Sequence, residues 1–309
     1  DVLGSRGLGD VYKRQVYIDG GARVYGNIFT EGAHDVNIFG RGEVHPDGRG
    51  AGVWVRRSKN VRIDGIVVSQ LPIGQCDSVE LTNVKSISYY GWGDGMDVFS
   101  SSNVILDGVF CRNSDDCAAV YASTQGFKGG SNNVLVKNAT LWADVAHPIN
   151  IGGHGDPNGM DTVQNVTFRN IDILDQAEKQ IDYQGCLAIN PGDNTLVRNI
   201  TFENIRIEDF RNGQLVNFRI SFNPKYCVST GRGIQNVLVK DVTYNGSGEN
   251  LSIIAGYDEN HKISGIRFVN LVVNGRKITD DMPGKPKWYK TGDMAGIFVG
   301  EHVENISFE

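Results

Sequence analysis

One short pattern recurs along nearly the whole chain and limits what the chain can fold into. Each copy has a polar residue, then alternating apolar and polar residues, then Asn, Asp or Gly and another aliphatic residue. The full copies are NVRIDGI (60–66), SVELTNV (78–84), NVILDGV (103–109), NVLVKNA (133–139), NVTFRNI (165–171), NITFENI (199–205), NVLVKDV (236–242) and GIRFVNL (265–271). Weaker copies are DVNIFGRG (35–42) and NISFE (305–309).

The spacing and the internal period of this repeat predict an all-β fold, a right-handed parallel β-helix (solenoid). Full copies start 18 to 37 residues apart, and repeats of roughly 20–40 residues are typical of solenoids. The period of 2 within each copy, with many Val, Ile and Phe residues, favours strands over helical repeats. A WD-type propeller is disfavoured because each unit has too few strands.

Asparagines at equivalent bends of such a solenoid can form hydrogen-bonded ladders inside it. The residues predicted to do so begin six of the copies: Asn60, Asn103, Asn133, Asn165, Asn199 and Asn236.

The domain organisation follows from the same repeat, since no linker or shift in composition interrupts it. Residues 16–309 are predicted to form a single β-helix domain that is truncated at both ends. The C-terminal truncation is predicted because the chain stops within a copy, and the N-terminal truncation because the first residues do not look biological. The run DVYKRQ (10–15) resembles the in-frame translation of a transposase sequencing adapter. We therefore expect residues 1–15 to be non-structural, and any export signal to lie outside this sequence.

Charge and cysteine content exclude several classes of partner and cofactor. The formal net charge of −6 disfavours nucleic acid and anionic membranes as partners, and no apolar run approaches the ~20 residues that span a bilayer. The five cysteines are an odd number without a CxxC pair, which favours free buried thiols over a zinc site or a disulfide framework. We expect no metal and no organic cofactor.

Acidic residues interrupt the repeat in GWGDGMDVFSSSNV (91–104) and CRNSDDCAAVY (111–121). Asp94 precedes Asp115 by 21 residues, about one coil, so stacking is predicted to bring them together. Adjacent Asp115 and Asp116 can both reach the same groove only if the chain bends between them.

Clustered carboxylates raise each other's pKa, and enzymes use such sets as a protonated acid beside ionised groups that activate water. A solvated turn or a calcium site are the alternatives, although calcium prefers six or more oxygens.

These residues resemble the polygalacturonase-type glycoside hydrolases (family 28). The family has Asn-Thr-Asp-Gly followed about one coil later by Gly-Asp-Asp-Cys, and this chain has GDGMDVFSSSNV followed by NSDDCAAV. The resemblance implies that Asp115 is the general acid and that Asp94 and Asp116 activate water. We expect single displacement with inversion, which would place the carboxyl groups ~6.5–9.5 Å apart, whereas a separation near ~5 Å would argue for retention.

Two histidines compete for the next motif of the family, a Gly-His-Gly followed by a small apolar strand. His154 lies in a literal GHG (153–155), whereas His147 lies in AHPINIGG (146–153), which matches the wider pattern better. The resemblance therefore favours His147, which would hold the geometry of the general acid or a substrate hydroxyl. A purely structural histidine is the alternative.

The sequence departs from family 28 at its Arg-x-Lys motif. NFRIS (217–221) supplies Arg219, but Ser221 stands where lysine is expected. In that family the two cations pair with a uronate carboxylate. Losing one of them weakens the case for a polyuronate substrate. Trp92 and Ser114 also replace an Asn and a Gly of the earlier motifs.

The second half resembles a sister family better, the dextranase/isopullulanase type (family 49), which acts on neutral α-glucans. The matching segments are LWADVAHPINIGG (141–153), NVTFRNIDILDQAE (165–178) and the strand with Phe-Arg-Ile. The choice between the two families stays open at this level.

Aromatic residues near the acidic segments are candidates for sugar stacking, or for simple packing. They are Tyr89, Tyr90, Trp92, Tyr121 and Trp142. Asp182 and Asn190 are further candidates for lining the cleft. The substrate-binding residues predicted together are Trp92, Asp97, His147, His154 and Arg219.

The predicted function is glycoside hydrolysis of a polysaccharide or oligosaccharide, in a secreted or periplasmic location implied by the resemblance. One alternative is a β-helical polysaccharide lyase, which would need a Lys or Arg base beside calcium-binding carboxylates. The other is a non-catalytic carbohydrate-binding solenoid. The oligomeric state has no signal in the sequence.

Overall fold

A computed structural model describes residues 14–46, 48–247 and 249–309. Residues 1–13, most of the segment expected to be an adapter, lie outside the described residues. Gln15, also in that segment, begins the first strand.

Most strands belong to two long sheets, here called sheet A and sheet B. Sheet A contains β1 (Gln15–Ile18), β2 (Arg23–Tyr25), β4 (His34–Gly40), β5 (Glu43–His45), β7 (Lys59–Asp64), β8 (Val67–Val68), β10 (Asp77–Thr82), β11 (Lys85–Ile87), β13 (Ser102–Asp107), β14 (Phe110–Asn113), β16 (Ser131–Ala143), β18 (Thr162–Gln176), β20 (Leu196–Ile207), β23 (Gly233–Tyr244), β26 (Ile263–Val273), β27 (Arg276–Ile278) and β29 (Val303–Phe308). Sheet B contains β3 (Ile28–Glu31), β6 (Val53–Arg56), β9 (Ile73–Gly74), β12 (Met96–Phe99), β15 (Ala118–Tyr121), β17 (Ile149–Ile151), β19 (Leu187–Ile189), β22 (Val216–Arg219), β25 (Ser252–Ala255) and β28 (Ile297–Val299).

The remaining elements are short. They are the strand pair β21 (Gly213–Gln214) and β24 (Glu249–Asn250) and the 3₁₀ helices η1 (Ile181–Tyr183) and η2 (Thr291–Ala295). No helix in the described part of the chain is long and apolar enough to cross a membrane.

Each strand pairs with the equivalent strand of the next coil, so the predicted parallel β-helix is confirmed. The second residue of each repeat copy lies in one column through sheet A, with Val104 beside Val134, Val134 beside Val166, and Val166 beside Ile200. Between strands of the described ranges, only β26 and β27 pair antiparallel. The repeat in the sequence is therefore the stacking register of the coils.

Alternation along the strands separates an apolar interior from a polar outer face. In β13, β16 and β20 buried side chains alternate with outward ones within each stretch, and the alternation is interrupted by pairs of consecutive outward residues at the asparagines. The buried members are mostly Val, Ile, Leu and Phe. Phe202 lies between Phe168 and Phe218 in a stack with ring centroids 5.9 and 6.0 Å apart. All five cysteines are free thiols, as predicted, and four of them are buried.

The asparagine ladders run along the outside of the solenoid, so the prediction that they lie inside is wrong. Asn133 donates to Asn103 Oδ1 at 2.7 Å, and Asn236 donates to Asn199 Oδ1 at 3.2 Å, all on exposed side chains. These asparagines adopt positive φ, 57° at Asn103 and 56° at Asn133. This left-handed conformation is one that Asn tolerates unusually well, and here it turns the amide outward between coils.

A second outer ladder follows the end of the repeat, where Asn170 donates to Asn138 Oδ1 at 2.7 Å and accepts from Asn204 at 3.2 Å. Asn170 has φ of 56°. Replacing it with Ala removes both hydrogen bonds and adds a left-handed backbone penalty. We expect Asn170→Ala to lower the free energy of unfolding in urea by about 2–3 kcal/mol.

Asn170→Gly is the matched control because glycine keeps the left-handed backbone and loses only the amide. It should cost less than Asn170→Ala. Equal losses for the two variants would contradict a backbone contribution at this position.

Candidate active site

Three carboxylates converge on the outer face of sheet B. Asp94 precedes β12, while Asp115 and Asp116 lie in the bend of residues 114–117 between β14 and β15. One carboxylate oxygen from each of the three lies within 4.8 Å of the other two. The predicted bend at the Asp-Asp pair is present, and the predicted stacking of Asp94 next to the pair is also present.

Coil stacking produces this convergence. Met96 pairs with Ala118 in the parallel register of β12 and β15, and continuing two residues back places Asp94 beside Asp116. The Gly95 amide donates to the Asp116 carbonyl at 2.7 Å. A Cβ at Gly95 would lie 2.2 Å from the Cys117 carbonyl oxygen, so this close approach requires glycine.

Asp116 is the fixed member of the cluster because four donors hold its carboxylate. Its Oδ1 accepts from the His147 amide at 3.0 Å and from His147 Nδ1 at 2.7 Å. Its Oδ2 accepts from the Tyr121 hydroxyl at 2.6 Å and from Asn150 Nδ2 at 2.8 Å. Although Asp116 is only 1% exposed, these donors lower its pKa, with His147 the leading favourable contribution. Asp116 is therefore an anion despite its burial.

Asp115 and Asp94 have the opposite electrostatic environment. Burial and then the charge of Asp116 raise the pKa of Asp115 to about 7. Burial and the charges of Asp115 and Asp116 raise the pKa of Asp94 well above its usual value. Both side chains are partly exposed at the groove. The cluster therefore combines one fixed anion with two groups that hold protons near neutral pH.

A fourth carboxyl, Asp97, lies in β12 on the same outward face. It is 4% exposed, and its Oδ1 is buried without a hydrogen-bond partner. Burial, followed by the charges of Asp94 and Asp116, raises its pKa well above the usual value. Asp97 thus forms a neutral part of the groove floor.

The two candidate histidines occupy different positions. His147 is buried at 1% exposure, and its ring bonds Asp116 and packs edge-on against Tyr183 at 4.6 Å. Because an ionised carboxylate can only accept, Nδ1 of His147 carries the hydrogen. His154 lines the groove instead, with its ring 5.1 Å from Tyr121, and burial lowers its pKa. His147 therefore touches Asp116 rather than Asp115, and its burial makes direct contact with a substrate hydroxyl unfavourable.

The predicted aromatic residues separate into groove and non-groove positions. Trp92 lines the groove at 76% exposure, and its φ of 63° is unusual for a bulky residue. Tyr121 lies against the groove, but its hydroxyl is bound to Asp116. Tyr89 packs on Tyr90 at 4.4 Å beside a separate crevice. Trp142 belongs to sheet A and lies under the Arg112 guanidinium at 4.2 Å, outside the groove.

Arg219 lies beyond the far side of the groove, where its Nη2 pairs with Asp182 Oδ1 at 2.8 Å. Ser221 Oγ is 3.5 Å from the same Nη2. Asp182 and Asn190 line a small cavity adjacent to the groove, together with His154 and Ser221. The predicted residues around Arg219 thus surround a neighbouring cavity rather than the carboxylates themselves.

Several residues at the site were not predicted from the sequence, and Lys225 is the most consequential. It lines the groove with its Nζ 4.8 Å from the Tyr226 ring centroid. Contact with Tyr226, then the charges of Glu178 and Asp115, raise its pKa, so it is a cation. Lys225 lies in a connection outside the repeat, where no periodic signal could have indicated it. Asn150 had a weak signal, an outward position three residues after His147.

The three clustered oxygens also form a donor set that a hard cation could use. Both oxygens of Asp116 are already engaged by protein donors, and calcium prefers six or more oxygens. The arrangement fits proton transfer better: a fixed anion lies beside a partly exposed carboxyl that holds its proton to about pH 7.

Comparison with known proteins identifies the family. The sequence profile described as Glycosyl hydrolases family 28 matches residues 53–282. The chain belongs to this family. The profile match decides the question left open by the sequence in favour of family 28 over family 49.

Curated relatives of the chain include polygalacturonases and probable endo-xylogalacturonan hydrolases. A polygalacturonase of Juniperus ashei is 26% identical over 216 residues, which cover 67% of this chain and 39% of the relative. An exopolygalacturonase of Cochliobolus carbonum is 25% identical over 217 residues, covering 59% of this chain and 46% of the relative. The matched part of this family 28 chain therefore spans less than half the length of either relative.

Solved structures support the fold. A family 28 exopolygalacturonase of Yersinia enterocolitica superposes with a TM-score of 0.63 at 12% identity, covering 94% of this chain and 72% of that one. The A-module of a mannuronan C-5 epimerase of Azotobacter vinelandii superposes with a TM-score of 0.58 at 12% identity, covering 97% and 86%. Because proteins with different activities share this architecture, the fold does not determine the reaction.

Asp97 generates a prediction about stability because its carboxyl is buried and its pKa is raised. Between the unfolded pKa and the higher folded pKa the folded state binds more protons, so stability falls as pH rises. Asp97→Asn keeps the shape and removes this titration. We compare the free energy of unfolding in urea of Asp97→Asn with that of wild type at pH 4 and at pH 8. The difference between them should move in favour of the variant by at least about 1.4 kcal/mol from pH 4 to pH 8.

Asp64→Asn, a surface substitution on sheet A, is the control and should show no such difference. A stability difference between Asp97→Asn and wild type that is the same at both pH values would contradict the raised pKa.

Proposed function

We propose that this family 28 protein hydrolyses glycosidic bonds of a polysaccharide, with Asp115 as general acid and with Asp94 and Asp116 positioning the attacking water. The observation that carries the proposal is the division of the carboxyl cluster. Asp116 is held as an anion by four hydrogen bonds, while Asp115, its chain neighbour, keeps a proton to about pH 7. A donor and an acceptor of protons are what glycosidic hydrolysis requires.

The choice of Asp115 over Asp116 as the acid rests on accessibility. Asp116 is buried, and all four of its contacts are donors that would oppose a proton on its carboxylate. Asp115 is partly exposed at the groove, and within the described ranges its carboxylate accepts a single hydrogen bond, from the Asp116 amide at 3.1 Å. Asp94 is also partly exposed at the groove, so in this proposal it is the carboxyl that contacts the attacking water directly.

The oxygens offered by the three carboxyls lie within 4.8 Å of one another. This is a distance between nearest oxygens, whereas the ~6.5–9.5 Å expected for inversion and the ~5 Å expected for retention are separations between carboxyl groups. A water held between two oxygens at hydrogen-bond distances of about 2.7 Å can bridge up to ~5.4 Å, so the gap still accommodates one water. Asp116 is a poor nucleophile because its carboxylate is buried and held in place by four hydrogen bonds. We therefore retain inversion within the proposal.

A uronate-containing polymer is the substrate class that the groove favours. The relatives include polygalacturonases and probable endo-xylogalacturonan hydrolases, and Lys225 adds a cation to a groove that also contains several carboxyls. The absence of lysine at position 221 is thus offset by a lysine four residues later. Action on such a polymer implies a secreted or periplasmic location, which we include in the proposal.

Asp115→Asn is the direct test of the hydrolase proposal. It should lower kcat on polygalacturonate by about 10²–10⁴-fold, the usual contribution of a general acid. Because the acid must be protonated to act, kcat/KM of the wild type should fall as pH rises through about 7. Reducing-sugar release measures both effects, and proton NMR of the first products should show inverted anomers.

The control is Asp64→Asn, which removes a surface carboxylate on sheet A and should retain full activity. Full activity of Asp115→Asn would contradict the acid assignment.

A lyase is the second candidate, because Lys225 lies near the carboxylates where a base could act. Calcium-dependent release of unsaturated, ultraviolet-absorbing products would favour it over hydrolysis. Glycan binding without turnover would favour the non-catalytic alternative.

Lys225→Gln tests the substrate class. Since a charge-assisted contact is worth about 1.5–3 kcal/mol, KM for polygalacturonate should rise about tenfold or more, while KM for a fully methyl-esterified polymer should change little. Lys179→Gln is the matched control because Lys179 is an exposed neighbour that does not line the groove. An equal rise of KM on both polymers would contradict recognition of a carboxylate.

A further inference from the structure

Outside the groove, sheet B carries a second group of side chains on its outer face, toward the N-terminal coils. Phe29 of β3 pairs with Trp54 of β6, and both point outward because the alternate residues face the core. The Arg56 guanidinium carbon lies 4.4 Å from the Trp54 ring centroid and 5.0 Å from that of Phe29. We call Phe29, Trp54 and Arg56 the platform.

The charge of Arg56 has no carboxylate partner among the described residues. Its neighbour across the strands, Glu31, binds Arg57 at 3.0 Å instead. Nε of Arg56 is buried without a hydrogen-bond partner, and the guanidinium lies over two rings. Arg56 is therefore an oriented cation on an aromatic surface, which suits a ligand with both an apolar face and a negative charge.

A row of buried rings links the platform to the groove. The Tyr121 ring, whose hydroxyl binds Asp116, stacks on Phe99 at 5.9 Å. Phe99 stacks on Phe127 at 6.2 Å, and Phe127 contacts Trp54 at 6.3 Å. Phe127 can lie flat on sheet B because a Cβ at Gly74 would meet its ring at 2.4 Å.

The distance along the solenoid suits a long sugar chain. Strand β6 pairs with β9, and β9 pairs with β12, so two coil steps separate the level of Trp54 from that of Asp97. Two steps correspond to about 10 Å along the axis. A glycan lying in the groove along this axis would therefore reach the platform a few sugar units from the carboxylates.

We propose that the platform is a distal subsite that binds a carboxylate-bearing sugar of the same glycan chain that occupies the groove. The rings of Phe29 and Trp54 take the apolar face of the sugar, and the Arg56 guanidinium pairs with its carboxylate. The identity of the glycan rests on the proposed function, whereas the presence of a subsite is tested by binding alone.

The experiment is calorimetric titration of the Asp115→Asn protein, which avoids turnover, with long and short oligogalacturonides. Adding Arg56→Gln should weaken binding of the long oligomer about tenfold, and the loss should shrink as the oligomer shortens. Arg56→Lys keeps the charge but not the planar fork, so it should fall between Gln and the parent. Arg62→Gln, an exposed arginine of sheet A, is the charge-matched control and should bind like the parent. Thermal unfolding by circular dichroism confirms that each variant is folded.

Each outcome has a distinct consequence. A loss with Arg56→Gln that is equal for long and short oligomers, or no loss at all, overturns the subsite. Failure of the parent to bind the long oligomer also overturns it. If the wild type cleaves no polymer but the length-dependent loss persists, the hydrolase proposal fails and the subsite stands. If the wild type cleaves the polymer but Arg56→Gln has no effect on binding, the hydrolase proposal stands and the subsite fails.

Discussion

Backbone pairing between successive coils is the constraint on which the rest of the structure depends. Parallel hydrogen bonding places equivalent residues of adjacent coils about 4.8 Å apart, whatever their side chains. Inside, this produces aliphatic columns such as Val104, Val134 and Val166. Outside, the same spacing makes any row of side chains a row of close neighbours. Asparagine rows gain hydrogen bonds from that proximity, and carboxylate rows acquire mutual repulsion.

The acidic groove is the place where that repulsion is strongest. Asp94, Asp97, Asp115 and Asp116 could not all be ionised in so small a volume. The protein concentrates its hydrogen-bond donors on one of them, Asp116, through His147, Tyr121 and Asn150 from the same coil and the next. The other carboxyls then keep protons more readily. One network of donors thus separates the protonation states of chemically identical side chains.

The positively charged residues on the outer face of sheet B are placed differently from those of the Arg-x-Lys motif expected for family 28. Arg219 is paired with Asp182 beside the adjacent cavity, Lys225 faces the carboxylates, and Arg56 lies on aromatic rings farther along the sheet. Position 221 is serine, and the lysine that lines the groove comes from a connection between coils. Such connections can exchange residues without disturbing the stacked strands, which makes them suited to altering specificity.

The sequence by itself determined the architecture, because the inward and outward alternation and the left-handed turn residues are local properties repeated in every coil. It also determined which segment carries the carboxyl cluster, since Asp94 and the Asp115–Asp116 pair interrupt the repeat one coil apart. Only the tertiary structure decided that Asp116 is bound by His147, that Trp142 lies outside the groove and that Lys225 lies inside it. Those contacts join residues from different coils and from connections of variable length, and their geometry depends on packing rather than on any period in the sequence.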